Sequence, residues 1–266
     1  MIHKTAIIDT KAKISSTVEI GPYSIIGPNV EIADNTIIQS HVNITGYTSI
    51  GKNNKIYPFA SIGSSPQDMK YNEEKTNLLI GDDNTIREYV TINPGTVQGS
   101  GITKVANNNL IMISAHIAHD CIIGNNTVIA NNAAIAGHAE INDYVVIGGN
   151  CGVQQFTRIG KMAMIGGMTG VSRDVIPYGS VKGTRARLSG LNVIGLRRRG
   201  FSREDIRSLR TAYGLLFSQG GNMAERISEV ADLFIDHPGV MDIIDFIRSD
   251  SSRAICQPVS SNGNGG

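Results

Sequence analysis

The stretch Ile32-Ala-Asp-Asn-Thr-Ile-Ile38-Gln-Ser-His-Val-Asn-Ile44-Thr-Gly-Tyr-Thr-Ser-Ile50 carries an isoleucine at every sixth residue, and this spacing decides the fold. The beat starts at Ile2 and runs through Ile8, Ile14, Ile20, Ile26, Ile32, Ile38, Ile44, Ile50, Ile56 and Ile62, eleven in succession. It pauses, resumes at Ile80, Ile86 and Ile92, pauses again, and holds from Val105 through Ile111, Ile117, Ile123, Ile129, Ile135, Ile141, Ile147, Val153, Ile159 and Ile165 to Val171. Four residues after most of these stands a compact side chain, as at Ser24, Thr36, Thr48, Ala60, Ala115, Cys121, Ala133, Ala139 and Ala163. An amphipathic helix repeats its apolar residues at three and four, and a half-buried strand alternates, so a period of six fits neither. It marks a parallel β-helix in which each hexapeptide is one short strand and one corner, with the large and compact residues pointing inward. Three hexapeptides close one coil, so residues 18 apart stack on successive coils, at a strand spacing of roughly 4.8 Å. The period alone does not set the hand of the coil, and parallel crossovers are ordinarily right-handed.

The composition is this repeat seen in bulk. Hydrophobic residues make up 41% of the 266 residues, yet aromatics are 5% and Trp is absent, so the core is not built around large rings. The 38 isoleucines and 30 glycines fit one β-branched core filler with frequent turns. A formal net charge of +1 argues against a globally basic nucleic-acid binder and against a membrane-surface protein. No apolar run approaches the roughly 18 residues of a membrane span, and Met1-Ile2-His3-Lys4 opens no signal-peptide apolar region. The expectation is a cytoplasmic protein with no nucleic-acid partner and no membrane insertion. Cys121, Cys151 and Cys256 are odd in number and lack CxxC pairing, so neither a disulfide framework nor a zinc knuckle is expected. Cys121 and Cys151 fall in the compact inward slot and read as core fillers.

The repeat ends near Val175-Ile176-Pro177, which sets a β-helix over 1–176 with corner loops near 63–79 and 95–104. Residues 177–190 read as a Gly/Ser linker. A small helical domain is expected over 191–255, with a capping box at Ser202 and Asp205, a second at Asn222 and Glu225, and a last short helix reaching about Arg248. The tail, 256–266, is polar and Gly-rich and is expected to be disordered.

Insertions in a solenoid sit at its corners and are often binding elements. The first loop carries Gln67-Asp68-Met69-Lys70-Tyr71, a polar cluster suited to a sugar or phosphate. The second, Gly95 to Lys104, is Gly-rich and has no ionisable side chain before Lys104. Two disordered corners are the plainer alternative.

His116, His119 and His138 fall within 23 residues. His119 and Gly137 are 18 apart, as are Asp120 and His138, so the repeat stacks His119 against the backbone of Gly137 at one corner with Asp120 beside His138. Acyl transfer fits such a corner. A neutral imidazole takes the proton of an attacking hydroxyl, and a backbone N–H at a glycine, unshielded by a side chain, donates to the oxyanion. No Ser or Cys nucleophile motif is visible, which favours direct attack by the acceptor, and no cofactor is expected. Solvent-facing histidines without a role are one alternative. Zinc held by three histidines, as in β-helix carbonic anhydrases, is another, although no extra carboxylate or Cys completes a set and no metal is expected.

Between Val175 and Arg203 stand seven cationic residues, Lys182, Arg185, Arg187, Arg197, Arg198, Arg199 and Arg203, and no acidic one. The bland reading is a solvated helix entry. The functional one is an anion site for diphosphate or an acidic carrier protein.

With these residues in hand, the chain resembles the UDP-N-acetylglucosamine O-acyltransferase family of lipid A biosynthesis, a group of hexapeptide-repeat acyltransferases. The resemblance covers about residues 1 to 255 and rests on Ile113-Ser-Ala-His-Ile-Ala-His-Asp120, Ala136-Gly-His138, Gln67-Asp-Met-Lys-Tyr71 and Gly195-Leu-Arg-Arg-Arg-Gly-Phe-Ser202. It implies a mainly β chain, a left-handed parallel β-helix followed by a small C-terminal α-helical domain. It also implies a homotrimer with active sites between subunits, and transfer of an (R)-3-hydroxyacyl chain from acyl carrier protein to the 3-hydroxyl of UDP-N-acetylglucosamine (UDP-GlcNAc). Carried over position by position, it makes His119 the general base, Asp120 its support and Gly137 the oxyanion donor. Gln67, Asp68, Lys70, His116, His138 and Gln155 become substrate contacts, Asn192, Arg198 and Arg199 nucleotide contacts from a neighbouring subunit, and Gly167 the point where acyl length is measured. Two positions depart from the pattern. Ile194 stands where some members have Glu near the nucleotide, and Gln154 where some have His. A sibling enzyme that acylates an amine, one that uses acetyl-CoA, and a non-enzymatic solenoid of the ice-binding kind are the competing expectations; the last lacks an outward Thr array.

Overall fold

Residues 1–249 and 252–259 are described by the structure, a computed structural model. From Ile7 to Val171, strands of two to four residues stack in parallel. With a closing hairpin they form three sheets of nine, eight and ten strands among the described residues. Each coil visits the three in turn, so the sheets form the faces of a prism. The first face holds His116–Ile117, the second Ile122–Ile123 and the third Val128–Ile129. The coils wind left-handed. The right-handed preference of parallel crossovers rests on a helix packing back onto its sheet, and no helix intervenes between these strands.

Register follows the isoleucines. Ile117 pairs with Ile135 and Ile135 with Val153 on the first face, and Ile123 pairs with Ile141 on the second. Ile117, Ile129 and Ile135 are 0% exposed, and each such side chain contributes about 1.5–3 kcal/mol relative to exposure. A slip of one residue would turn the whole inward set outward, so the register is strongly specified. Cys121 and Cys151 occupy compact inward slots and are buried; burial pushes the Cys121 thiol up to about 12, which leaves it unreactive.

Most corners turn through one residue in the left-handed region, among them Asp120 (φ 58°), Asn126 (φ 56°), Asn132 (φ 59°) and His138 (φ 61°). Asn, Asp and His tolerate this conformation better than other side-chain-bearing residues. The N–H of such a residue donates to the corner of the previous coil, as from His138 to the His119 carbonyl at 3.0 Å. One coil is thereby seated on the next at the corner where the histidines lie.

Beyond the coils, residues 177–190 are not a linker. Gly179–Lys182 and Arg187–Leu191 pair antiparallel and extend the third face; the Gly/Ser composition marks the turn between them. Among the described residues four helices follow: α1 (Val193–Arg198), α2 (Arg203–Leu216), α3 (Met223–Leu233) and α4 (Pro238–Ser249). Both capping boxes form, Ser202 with Asp205 and Asn222 with Glu225. The start of the expected tail is also fixed. Cys256 is buried, its N–H donates to the Asp174 carbonyl at 2.8 Å, and Leu188 N–H donates to Gln257 at 3.0 Å. Pairing with a sheet edge supplies order that local composition does not reveal; residues 260–266 of that expectation lie outside the described residues. Arg158 ties α4 to the coils, bonding Asp174 at 2.8 Å and lying 4.5 Å above the Phe246 ring. Among the described residues, no helix is long and apolar enough to cross a membrane.

Candidate active site

The corner between the first and second faces carries His119 and Asp120 on one coil and Gly137 and His138 on the next. His119 is 7% exposed and Asp120 4%. His119 Nδ1 lies 2.9 Å from Asp120 Oδ2. An ionised carboxylate only accepts, so the proton is assigned to Nδ1 and the lone pair to Nε2. The imidazole then lies over Gly137, where a Cβ would stand 2.6 Å from its Cε1 and 2.7 Å from Nε2. Gly137 is buried, and among the described residues its N–H meets no protein acceptor. Buried backbone donors are nearly always paired, so this one is available to a ligand. The His138 ring stands edge-on to His119 at 5.0 Å and stacks on Phe156 at 4.3 Å.

The second inserted loop closes on Asp120. Thr96 donates its N–H at 3.0 Å and its hydroxyl at 2.7 Å to Oδ2, while the N–H groups of Ser100 and Gly101 reach Oδ1 at 2.9 and 3.1 Å. The Ser100 hydroxyl lies 3.1 Å from Oδ1. A Cβ on Gly99 would come within 2.4 Å of the Asp120 carboxyl carbon, so a glycine is required there. Burial alone would raise the Asp120 carboxyl; hydrogen bonds from Thr96 and His119 outweigh it and hold the group below its ordinary value. Burial lowers His116, assisted by His119, and lowers His138 against the pull of Asp120.

His119, Asp120 and His138 each offer one ligand atom, all within 4.8 Å of one another, which is the set a metal would use. The donors around Asp120 argue for another use. Thr96, Ser100, Gly101 and His119 already fill the roughly four lone-pair sites of a carboxylate, so the group is built as a hydrogen-bonded dyad.

A cavity of about 680 Å³ opens in front of His119, lined also by Gln67, Asp68, Lys70, His138 and Gln155. His116 does not line it; it faces outward from the first face with Nδ1 2.7 Å from the Thr91 hydroxyl. The other expected site residues lie elsewhere on this chain. Gly167 is on the corner between the third and first faces, against the Gly149 carbonyl. Asn192 caps α1 and bonds the Met162 carbonyl at 2.9 Å, while Arg199 lies 3.7 Å above Tyr144; both belong to the corner between the second and third faces. Arg198 is exposed in the last turn of α1.

The basic stretch also divides: Arg185 and Arg187 line one groove with Arg173, and Arg197 and Arg203 line another with Arg207 and Arg210. A larger cavity of about 1050 Å³ lies on the second face beside Lys13, Glu31 and Ile122 and carries none of the paired imidazole chemistry. Sequence reasoning passed over Thr96, Ser100 and Phe156. Phe156 was findable, being 18 residues after His138. For the loop residues the sequence carried no signal, because residues 95–104 break the repeat and no register ties them to Asp120.

A hexapeptide solenoid whose corner joins an imidazole, its carboxylate partner and a free backbone donor belongs to the hexapeptide-repeat acyltransferases. Comparison narrows the class. Residues 2–46 and 102–137 match the bacterial transferase hexapeptide (six repeats) family, and residues 174–256 match UDP-N-acetylglucosamine O-acyltransferase, domain 2. The chain is 51% identical over 255 residues to the acyl-(acyl-carrier-protein)–UDP-N-acetylglucosamine O-acyltransferase of Rickettsia canadensis, covering 96% of this chain and 97% of that one. Solved UDP-N-acetylglucosamine acyltransferases superpose closely. That of Moraxella catarrhalis has a TM-score of 0.93 at 47% identity over 96% of this chain and 98% of that one, and that of Francisella novicida 0.94 at 39% over 98% and 95%. The chain belongs to the UDP-N-acetylglucosamine O-acyltransferase family.

Proposed function

We propose that the protein transfers an acyl chain from acyl carrier protein to a hydroxyl of UDP-GlcNAc, and that this is an (R)-3-hydroxyacyl transfer to the 3-hydroxyl, the first step of lipid A biosynthesis. His119 Nε2 takes the proton as the sugar oxygen attacks the thioester carbonyl. The tetrahedral oxyanion is held by the Gly137 N–H. The C–S bond then breaks, the thiolate leaves with the proton from the imidazolium, and ester and free carrier thiol result. Asp120 fixes the tautomer and offsets the imidazolium charge. Gln67, Asp68, Lys70, His138 and Gln155 hold the sugar nucleotide in the cavity, with His116 at its margin. The observation that carries this reading is the buried, unpaired N–H of Gly137 beside His119.

Gly167, Asn192, Arg198 and Arg199 then act on the site of a neighbouring copy, in a homotrimer working in the cytoplasm. Their position on other corners of the prism supports this, because one chain alone leaves the His119 cavity without nucleotide cations from α1. Gly167 has no side chain to stop an acyl tail. The arginine cluster of Arg197, Arg203, Arg207 and Arg210 fits an acidic carrier protein.

The test is product analysis. Incubation with UDP-GlcNAc and hydroxyacyl carrier proteins of several lengths, followed by mass spectrometry and mild alkali, is expected to give a base-labile mono-ester. An alkali-stable amide, or no product with any donor, overturns the reading.

A further inference from the structure

We infer that Thr96 and Ser100 are positioning residues that act through Asp120 to set the orientation and basicity of His119. The inference rests on the acyl-transfer reading above and goes beyond the family's fold and activity. Thr96 is 1% exposed, and both of its donors are aimed at Asp120 Oδ2, the same oxygen that accepts from His119 Nδ1. Ser100 and Gly101 hold the other oxygen. The carboxylate therefore cannot rotate without giving up bonds on both sides, and the ring it anchors is held over Gly137. The loop is fixed in turn: Gly101 and Gly99 donate to the Thr96 carbonyl at 3.0 and 3.1 Å, and Thr103 Oγ1 accepts the Asp120 N–H at 2.8 Å.

The cradle has a second, electrostatic consequence. Each donor on Asp120 withdraws some of the charge that would otherwise stabilise a protonated His119. A base that gains its proton only in the transition state works best when its resting form stays neutral near working pH. Removing one donor leaves the carboxylate more strongly attractive to the imidazolium formed in the transfer, and the acid limb of the rate profile reports that change. The titratable groups facing His119 are Asp120, His138 and His116, with Asp68 and Lys70 lining the same cavity; of these, the Thr96 and Ser100 hydroxyls bond Asp120 alone.

The experiment compares wild type, Thr96→Val, Thr96→Ser and Ser100→Ala, reading kcat, both KM values and the acid limb of the kcat/KM–pH profile with UDP-GlcNAc and a hydroxyacyl carrier protein. Thr96→Val is expected to lower kcat about tenfold or more and to move the acid limb up by roughly half a pH unit or more, the scale of one lost hydrogen bond to a charged group. KM for both substrates should change little, and Thr96→Ser should restore both kcat and the limb. Ser100→Ala removes a hydroxyl shared between the Ile102 carbonyl at 2.9 Å and Asp120 Oδ1 at 3.1 Å, so it should shift the limb in the same direction by less, which keeps the test alive if Thr96→Val fails to fold. Unchanged limbs overturn the inference, whether kcat is retained or lost, because a merely structural loop changes rate without changing the base. A wild-type protein that forms no acylated product would instead sink the acyl-transfer reading itself.

Discussion

The imidazole of His119 occupies the space that a side chain on Gly137 would need, with Nε2 2.7 Å and Cε1 2.6 Å from the place of a Cβ. The contact joins two residues 18 apart in sequence that meet because each coil sits directly on the last.

Gly137→Ala should therefore leave the solenoid intact and ruin the site, since the new methyl must push the ring away from the N–H it flanks. A loss of about 10²–10³ in kcat is expected, comparable to removing an oxyanion donor, with circular dichroism and oligomeric state unchanged. Turnover within a few-fold of wild type would mean that the ring and the N–H do not cooperate.

Lys70→Ala removes an exposed cation that lines the cavity. The expected outcome is a rise in KM for the sugar nucleotide of about tenfold or more, with a smaller effect on kcat, as for a contact made equally in ground and transition states. Initial-rate kinetics at saturating acyl donor measure it.

Stability should fall with acid in two stages, and the signs follow from the shifts. His116 and His138 are lowered in the folded chain, so the unfolded chain binds protons more readily as pH drops below about 6.5. That contribution is present above this value and is lost as pH falls through the folded values. Asp120 is also lowered, so its contribution is present above about 3.9 and disappears as pH falls through its folded value. Urea midpoints at successive pH values should decline in both windows, and His138→Gln should flatten the upper one.

Ile135→Ala cuts the stack between Ile117 and Val153, directly before the Gly137 corner. Because Ile135 is fully buried and a coil relaxes little, a cost of about 2–5 kcal/mol is expected by chemical denaturation.

Much of this was legible in the sequence because the coil converts spacing into contact. The period placed Ile117 under Ile135 and His119 over Gly137 without any knowledge of long-range structure, and the capping boxes at Ser202 and Asn222 announced α2 and α3 through local chemistry. What escaped depends on contacts the period does not encode. The hold of Thr96 and Ser100 on Asp120 comes from a loop that breaks the repeat, so no register links them. The hairpin from Gly179 to Leu191 and the pairing of Cys256 with Asp174 gain order from a sheet edge, which the Gly/Ser composition of those stretches conceals. Gly167, Asn192 and Arg199 followed from the family resemblance, and on one chain they stand on corners away from His119.

The most direct test of the central claim is single-turnover acyl transfer by His119→Ala, with UDP-GlcNAc and a hydroxyacyl carrier protein, in protein whose melting temperature matches wild type. The account predicts ester formation slower by about 10²–10⁴, the range for a lost general base, with both substrates still bound. Ester formation within a few-fold of wild type would contradict it.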